Sequence, residues 1–390
     1  MDLSKQKIEQ TFDILNELDI DCWIIFVRET AMTSDPALQL VAEGLNATWQ
    51  TFLIYTKDRK SYALVGNFDQ EDYIKSGYFT EVIPYTAGVK DDFQKLLQRL
   101  NPKQIALNYS THNCASDGLS HGMYLLVQEY LKETDYADKI ISSETILGKL
   151  RSRKLQPEIE LLQKAAELAD EVWRKAVAEI QIGMTEQQVA AVIEFFIKQT
   201  GGTPSFPTIV NAGAKTRPGH AAPTEAKLSG GDLLHVDFGI KYKGFCSDIQ
   251  RLLYFKRPNE KEAPPELVDA FELVRDIITE TGHESKPGVI AFQIDNIARQ
   301  RLLENRYEEY QHALGHQLGR DVHDGGTIIG PNWERYGGTT SQPLEENNVF
   351  TLELEIMLPG IGCVGLEEDM YVTEKGARFI SPRQMELIVK

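Results

Sequence analysis

Cysteine is scarce in this chain of 390 residues, and its placement excludes two classes of small stabilised domain. The four cysteines lie far apart and form no C-x-x-C pair; they are Cys22, Cys114, Cys246 and Cys363. The sequence therefore predicts neither a disulfide framework nor a zinc knuckle. Scattered thiols of this kind are typical of a reducing cytoplasm.

Positive charge and long apolar runs are also lacking. Lys and Arg number 41 against 58 Asp and Glu, which gives a formal net charge of −17 and repels polyphosphates. We therefore expect no nucleic-acid partner. The longest apolar runs, such as residues 22–27, are too short to span a bilayer, and residues 1–10 lack the apolar core of a signal peptide. We expect a cytoplasmic protein with no membrane partner.

The composition is that of a globular protein with two domains. Hydrophobic residues make up 42% and charged residues 25% of the chain. The first third alternates helical patterns (3–18, 91–100, 121–132) with strand patterns (22–27, 51–56, 61–65, 104–109), which predicts an α/β domain. A basic stretch then precedes Pro157, which is suited to the start of a helix running to about Ile180. We therefore predict domains at 1–150 and 151–390.

The second predicted domain contains a faint internal repeat. Two helical patterns share the same spacing at an offset of 105 residues, with Gly183, Val189 and Val192 matching Gly288, Ile294 and Ile297. Thr185 and Gln188 form a capping-box pattern at the start of the first helix. Each pattern is followed by a strand–turn–strand segment, at 233–255 and at 349–373.

The first of these hairpins carries two aspartates. If Tyr242 and Lys243 form its two-residue loop, Asp237 stands directly opposite Asp248. Opposed like charges are destabilising, and a buried unpaired carboxylate is costly, so a hard divalent cation between them is the usual solution. The alternative is a slip of one residue, which would turn one aspartate into solvent.

The second hairpin carries Glu353 and two candidate partners for it. A two-residue loop at Gly360-Ile361 would place Glu353 opposite Glu368. A three-residue loop or a glycine bulge would instead place it opposite Glu367. Adjacent residues of a strand face opposite sides, and the pattern by itself leaves both partners open.

A short segment between the hairpins, residues 312–324, holds three of the eight histidines: His312, His316 and His323. Imidazole is both a metal ligand and a proton carrier. Gly315 and Gly319 argue against a helix here and permit close approach of the backbone to another strand. We interpret this segment as part of the same candidate site.

The order and spacing of these motifs resemble those of the pita-bread metallopeptidases, which include Xaa-Pro aminopeptidases, prolidases and methionine aminopeptidases. The matching motifs are Val236-Asp237-Phe238-Gly239, Ser247-Asp248, Gly315-His316-x-x-Gly319, Thr351-Leu352-Glu353 and Glu367-x-x-x-x-Val372-Thr373. The resemblance covers about residues 155–390. It implies an α+β domain whose antiparallel sheet has pseudo-twofold symmetry and is covered by helices. The first third is similar to the companion α/β domain of the creatinase/prolidase branch.

The resemblance also implies a set of site residues. Two divalent ions would be bound by Asp237, Asp248, His316, Glu353 and Glu367, with Asp248 and Glu367 bridging. Glu367 rather than Glu368 then faces Glu353. Such N/O ligands suit manganese, cobalt, iron or zinc.

The implied activity is hydrolysis of the N-terminal peptide bond of a peptide, with Xaa-Pro peptides as the expected substrates. A metal-activated hydroxide would attack the amide carbonyl, and Glu353 would carry the proton. His220, His312 and His323 match histidines around the family's site, with His220 and His323 expected to bind substrate. A homodimer is also implied. The competing interpretations are a hydrolase for another C–N bond and a catalytically silent binding scaffold.

The chain departs from the family where Leu354-Glu355 replaces Pro-Gly and Gly365 replaces an arginine. The register that pairs Glu353 with Glu367 also pairs Glu355 with Gly365, so one local charge changes from about +1 to −1 beside the site. In dipeptidase-type relatives the arginine helps to orient the substrate carboxylate, so a strict dipeptidase is not expected. We predict that Glu355 binds a cationic group such as the substrate α-amine; the alternative is that it points into water.

Overall fold

A computed structural model describes residues 2–216, 219 and 221–390. His220, one of the predicted site residues, lies outside these described residues. The chain divides into two compact units, Met1–Arg151 and Ser152–Lys390.

The first unit is a mixed six-stranded sheet with helices on both faces. Its helices are α1 (Leu3–Glu17), α2 (Leu38–Val41), α3 (Gln70–Ser76), α4 (Lys90–Leu100), α5 (His121–Leu131) and α6 (Glu144–Ser152). Its strands are β1 (Cys22–Val27), β2 (Thr51–Thr56), β3 (Lys60–Gly66), β4 (Glu81–Tyr85), β5 (Ile105–Leu107) and β6 (Ile140–Ser142). The strand order is β4-β3-β2-β1-β5-β6.

Alternating side chains of β1 supply the two cores of this unit. Trp23 and Ile25 share one core with α1, and Ile24 and Phe26 share the other with α4 and α5. A strand buried on both faces has the continuous apolar run seen in residues 22–27. The α/β class predicted for this part of the chain is confirmed.

The second unit is built on a larger, mainly antiparallel sheet. Its helices are α7 (Gln156–Glu179), α8 (Glu186–Gln199), α9 (Pro265–Glu284) and α10 (Ala291–Glu304). Its strands are β7 (Thr203–Pro204), β8 (Ile209–Ala212), β9 (Leu233–Phe238), β10 (Ile240–Tyr242), β11 (Phe245–Cys246), β12 (Ile249–Tyr254), β13 (Val349–Leu358), β14 (Gly362–Thr373), β15 (Gly376–Phe379) and β16 (Ile388–Val389).

The main sheet has the order β13-β14-β12-β9-β8, with β15 paired to β14 and β16 to β12, and a small sheet has the order β11-β10-β7. Helices α7 and α8 share a core with β8 and β9, whereas α9 and α10 share a core with β13 and β14. None of the helices in the described residues is long and apolar enough to cross a lipid bilayer.

The internal repeat is visible in the helices. Helix α10 repeats α8 at the predicted offset of 105 residues at both ends. The predicted capping box is also present: the Gln188 backbone N–H donates to Thr185 Oγ1 at 3.2 Å, and the Thr185 N–H donates to Gln188 Oε1 at 2.9 Å.

The predicted register of the first hairpin is wrong by two residues. Asp237 pairs with Gln250 rather than with Asp248. The loop is formed by Lys243 and Gly244, whose φ angles of 47° and 84° are those of a tight hairpin turn. A shift of two residues leaves every side chain on its original face, so Asp248 still approaches Asp237.

The second hairpin has the register implied by the family resemblance. A three-residue loop joins Leu358 to Gly362, and Glu353 pairs with Glu367. Glu355 pairs with Gly365, as predicted from the same register.

Gly239 permits the close crossing of backbone between the two aspartates of the first hairpin. A Cβ added at this position would lie 1.8 Å from the carbonyl oxygen of Ser247. Any side chain here would push the strands apart, directly between Asp237 and Asp248.

We therefore expect Gly239→Ala to destabilise the protein by about 1–3 kcal/mol, the usual cost of overpacking. Thermal unfolding followed by circular dichroism measures this change. Gly338→Ala is the matched control, because a Cβ there meets nothing within 4 Å. Equal melting temperatures for the two variants would contradict the close crossing.

Candidate metal centre

Acidic side chains from β9, β13 and β14 converge on one cavity in the second unit. The cavity has a volume of about 680 Å³. It is lined by Ser205, Phe206, Pro207, Thr208, Ile209, Ala221, Ala222, Asp237, Asp248, His316, Asp321, Val322, His323, Glu353 and Glu367. The structure thus brings all five predicted metal ligands to the same place.

Three of these ligands are close enough to share one ion. Ligand atoms of Asp248, His316 and Glu367 all lie within 4.8 Å of one another. His316 Nε2 lies 3.6 Å from Asp248 Oδ2 and 3.9 Å from Glu367 Oε1.

His316 reaches the site because its backbone runs against β13. The Thr351 N–H donates to the His316 carbonyl at 3.0 Å, and the Glu353 N–H donates to the Leu314 carbonyl at 2.7 Å. A Cβ at Gly315 would lie 2.0 Å from the Thr351 carbonyl oxygen. The glycine therefore allows the close backbone approach that the sequence predicts.

Burial and mutual repulsion disfavour ionisation of these carboxyl groups in the absence of a cation. Burial raises the pKa of Asp237, Asp248 and Glu367 well above their usual range, and neighbouring carboxylates raise each of them further. Burial, followed by the charges of Asp237 and Glu355, raises the pKa of Glu353 to about 8.

The imidazole of His316 is shifted in the opposite direction. Burial, followed by the proximity of His323, lowers the pKa of His316 to about 3. The ring is therefore neutral at physiological pH and has a lone pair available for a metal ion.

Several buried oxygens of this site have no hydrogen-bond partner within the described part of the chain. They include Oδ1 of Asp237, Oδ1 of Asp248 and Oε1 of Glu367. Such atoms are costly to bury unless a cation faces them. Carboxylate oxygens together with one imidazole form a donor set for a divalent metal ion, and the residues present fit that group.

The three predicted histidines are not equivalent. The His323 ring packs edge-on against His316 with a centroid separation of 4.3 Å, and it lines the cavity. His312 packs on Tyr310 at 4.9 Å and is not among the described lining residues. His220 lies outside the described residues.

Glu355 also lies apart from the cavity lining. It faces the same side of β13 as Glu353, and its carboxylate accepts a hydrogen bond from the Cys363 thiol at 3.4 Å. Its role in binding a substrate cation stays a prediction.

Sequence reasoning missed Gln250 at the centre of the site. Gln250 Nε2 donates to Glu353 Oε2 at 3.2 Å and to Glu367 Oε2 at 3.1 Å. The available signal is the Lys243-Gly244 dipeptide, because an Xaa-Gly hairpin loop there places Gln250 opposite Asp237.

A buried ion pair and a buried aspartate lie next to the ligands. Arg251 Nη2 lies 3.0 Å from Glu368 Oε2. Glu368 therefore pairs with Arg251 and does not face the metal ligands. Asp369 Oδ2 accepts the backbone N–H of Asp248 at 3.2 Å. Sequence reasoning did not identify these roles of Arg251 and Asp369.

The fold and the cavity together define a protein with a donor set for divalent metal between two β-hairpins. The model of metallopeptidase family M24 matches residues 160–374, which is more than half of the chain. The chain belongs to this family and is a metallopeptidase, so the predicted pita-bread class and prolidase branch are confirmed.

Individual relatives agree with this assignment. The chain is similar to the Xaa-Pro dipeptidase of Pyrococcus horikoshii, with 27% identity over the full length of both chains. It is 31% identical to the Xaa-Pro dipeptidase of Pyrococcus furiosus over 68% of this chain and 73% of that protein. In structure it resembles an Xaa-Pro dipeptidase from Bacillus anthracis, with a TM-score of 0.78, 24% identity, and coverage of 99% of this chain and 100% of the other.

The raised carboxyl pKa values predict how pH affects the metal-free protein. An acid whose pKa is higher in the folded state keeps a proton that the unfolded chain releases, so stability is lost as the pH rises through that interval. For Glu353 the interval runs from the ordinary value of 4.5 to about 8. We expect the melting temperature of chelator-treated protein to fall between pH 5 and pH 8, by about 2–4 °C per kcal/mol.

Asp248→Asn should reduce the fall in melting temperature, because the amide does not titrate. Added Mn²⁺ should stabilise the unsubstituted protein more at pH 8 than at pH 5. Glu160→Gln, on an exposed position of α7, is the control. An unchanged pH slope in Asp248→Asn would contradict the assignment. Differential scanning fluorimetry measures all of these values.

Proposed function

We propose that this metallopeptidase removes the N-terminal residue from peptides with proline in second position, using two divalent ions held by Asp237, Asp248, His316, Glu353 and Glu367. The observation that carries the proposal is the convergence of these five side chains on one cavity, with buried oxygens that need a cation. The names of the relatives, Xaa-Pro dipeptidases, support proline specificity. Cytoplasmic location, a homodimer and the identity of the metal stay predictions.

Bound divalent ions would supply Lewis acidity toward the scissile carbonyl and would lower the pKa of a nearby water. The protein contributes a proton carrier beside them. Glu353 lines the cavity with a carboxylate, which suits a group that accepts a proton and later donates it to the leaving nitrogen. His323 lines the cavity, where its imidazole would bind the substrate carbonyl oxygen.

The cavity wall indicates how the rest of the substrate is bound. One side carries Phe206, Pro207 and Ile209, which suit the apolar ring of a proline. None of the described residues that line the cavity is lysine or arginine. Among these residues a substrate carboxylate next to the scissile bond would find no cationic side chain, which favours peptides longer than two residues.

We accordingly expect tripeptides and longer peptides of the Xaa-Pro type to be better substrates than Xaa-Pro dipeptides. We expect kcat/KM for the longer peptides to exceed that for the dipeptides by about tenfold or more. An unpaired carboxylate that costs about 1.4 kcal/mol of binding free energy lowers the rate by a factor of ten. Mass spectrometry of the released residue measures both rates. Peptides of equal length with alanine in second position control for proline. Faster cleavage of dipeptides would show that the site accepts a free carboxylate.

Glu353→Gln should lower kcat by about 10²–10⁴-fold, because the amide cannot carry a proton. Removal of metal by a chelator should abolish hydrolysis, and addition of Mn²⁺ or Co²⁺ should restore it. Glu160→Gln controls for the loss of a carboxylate elsewhere in the same unit. Bound metal with no hydrolysis of any peptide would instead favour a non-peptidase or a silent scaffold.

A further inference from the structure

A chain of buried polar side chains lies behind the ligand carboxylates. Its members are Asn211, His235 and Gln250, exposed by only 4%, 3% and 7%. His235 Nδ1 lies 3.1 Å from the side-chain amide of Asn211, and His235 Nε2 lies 3.0 Å from Gln250 Oε1. The two hydrogen bonds of Gln250 to Glu353 and Glu367 complete the chain.

The chemistry of the Gln250 side chain determines which groups donate and which accept in this row of hydrogen bonds. A carboxamide has one acceptor oxygen and one nitrogen with two N–H donors. The Gln250 nitrogen faces the carboxylates, with one N–H for each glutamate, and its oxygen faces His235 Nε2. His235 donates to that oxygen in the tautomer that carries its proton on Nε2. Oε2 of Glu367 is thereby occupied, and Oε1 of the same carboxylate stays without a partner among the described residues.

Gly365 makes room for this arrangement. A Cβ at this position would lie 2.8 Å from His235 Nε2 and 2.9 Å from Gln250 Oε1. The family resemblance places an arginine at this position. An arginine side chain and the hydrogen bond between His235 and Gln250 would require the same space, so the two arrangements exclude one another.

We propose that Gln250, held in place by His235, is a positioning residue for the metal ligands and occupies the space of the missing arginine. It fixes one oxygen of Glu353 and one oxygen of Glu367, so that the other oxygen of Glu367 is presented to the ion. This replacement is neutral, and the site therefore has one positive charge fewer beside its metal ligands. The inference rests on the metal site of the proposed function and deepens it.

Metal binding tests the proposal without any peptide. The measurement is isothermal titration calorimetry of the chelator-treated full chain with Mn²⁺, supported by the visible spectrum of the Co²⁺ form, which reports ligand geometry. Gln250→Met retains the side-chain volume and removes both donors. We expect it to weaken Mn²⁺ binding by about 10–100-fold, as is usual for residues that orient metal ligands, and to alter the Co²⁺ spectrum.

Two variants of His235 separate positioning from packing. His235→Leu removes the donor to Gln250 Oε1 and should behave like Gln250→Met. His235→Gln offers an amide N–H at a similar position and should restore Mn²⁺ affinity to within about threefold of the unsubstituted protein, because the Gln250 oxygen regains a donor.

Gln384→Met is the matched control for the loss of a buried glutamine. Within the described part of the chain, the Gln384 side chain bonds to backbone groups, namely to the N–H and carbonyl of Leu252 and to the carbonyl of Glu386. It should lower the melting temperature without changing Mn²⁺ affinity. Gly365→Ala should weaken Mn²⁺ binding, whereas Gly338→Ala should not.

Unchanged Mn²⁺ affinity in Gln250→Met would overturn the proposal, as would an equal loss in Gln384→Met. If Gln250→Met does not fold, the comparison of Gly365→Ala with Gly338→Ala decides the question by the same measurement. Normal Mn²⁺ binding without peptide hydrolysis would contradict the proposed function and leave this inference standing.

Discussion

Repulsion among buried carboxylates is the constraint on which the second unit depends. Asp237, Asp248, Glu353 and Glu367 lie around one cavity, where burial and mutual charge disfavour ionisation of all four. A divalent cation removes this penalty, because it replaces the lost hydration of the oxygens. Close backbone crossings at glycines bring the strands near enough for the oxygens to meet.

Much of the fold could be predicted from local patterns. Apolar runs and helical periodicity locate β1, β2 and α1 because each element buries a continuous or periodic face. The loop of the first hairpin could not be chosen from the same patterns, since two adjacent dipeptides both satisfied the hydrophobic alternation. The left-handed φ angles at Lys243 and Gly244 decide between them, and the error of two residues did not move either aspartate to the wrong face.

The site was accessible to sequence reasoning to different degrees. Aspartate, glutamate and histidine are common metal ligands, so their residue type alone indicates a metal site. The order of the motifs then identified the five candidate ligands as one set. Gln250 carries no such signal, because its importance arises from the residues opposite it in the folded sheet. His312 shows the converse: it is four residues from His316 in the chain, yet its ring packs against Tyr310.

The pairing between β12 and β14 has a consequence for how the protein matures. Gln250 lies opposite Glu367 in this pairing, and the two strands come from different halves of the internal repeat. Asp237 and Asp248 belong to the first half, whereas His316, Glu353 and Glu367 belong to the second, so neither half alone assembles the donor set. A metal ion bound by this donor set would therefore stabilise only chains in which the long-range contact between the two strands has already formed.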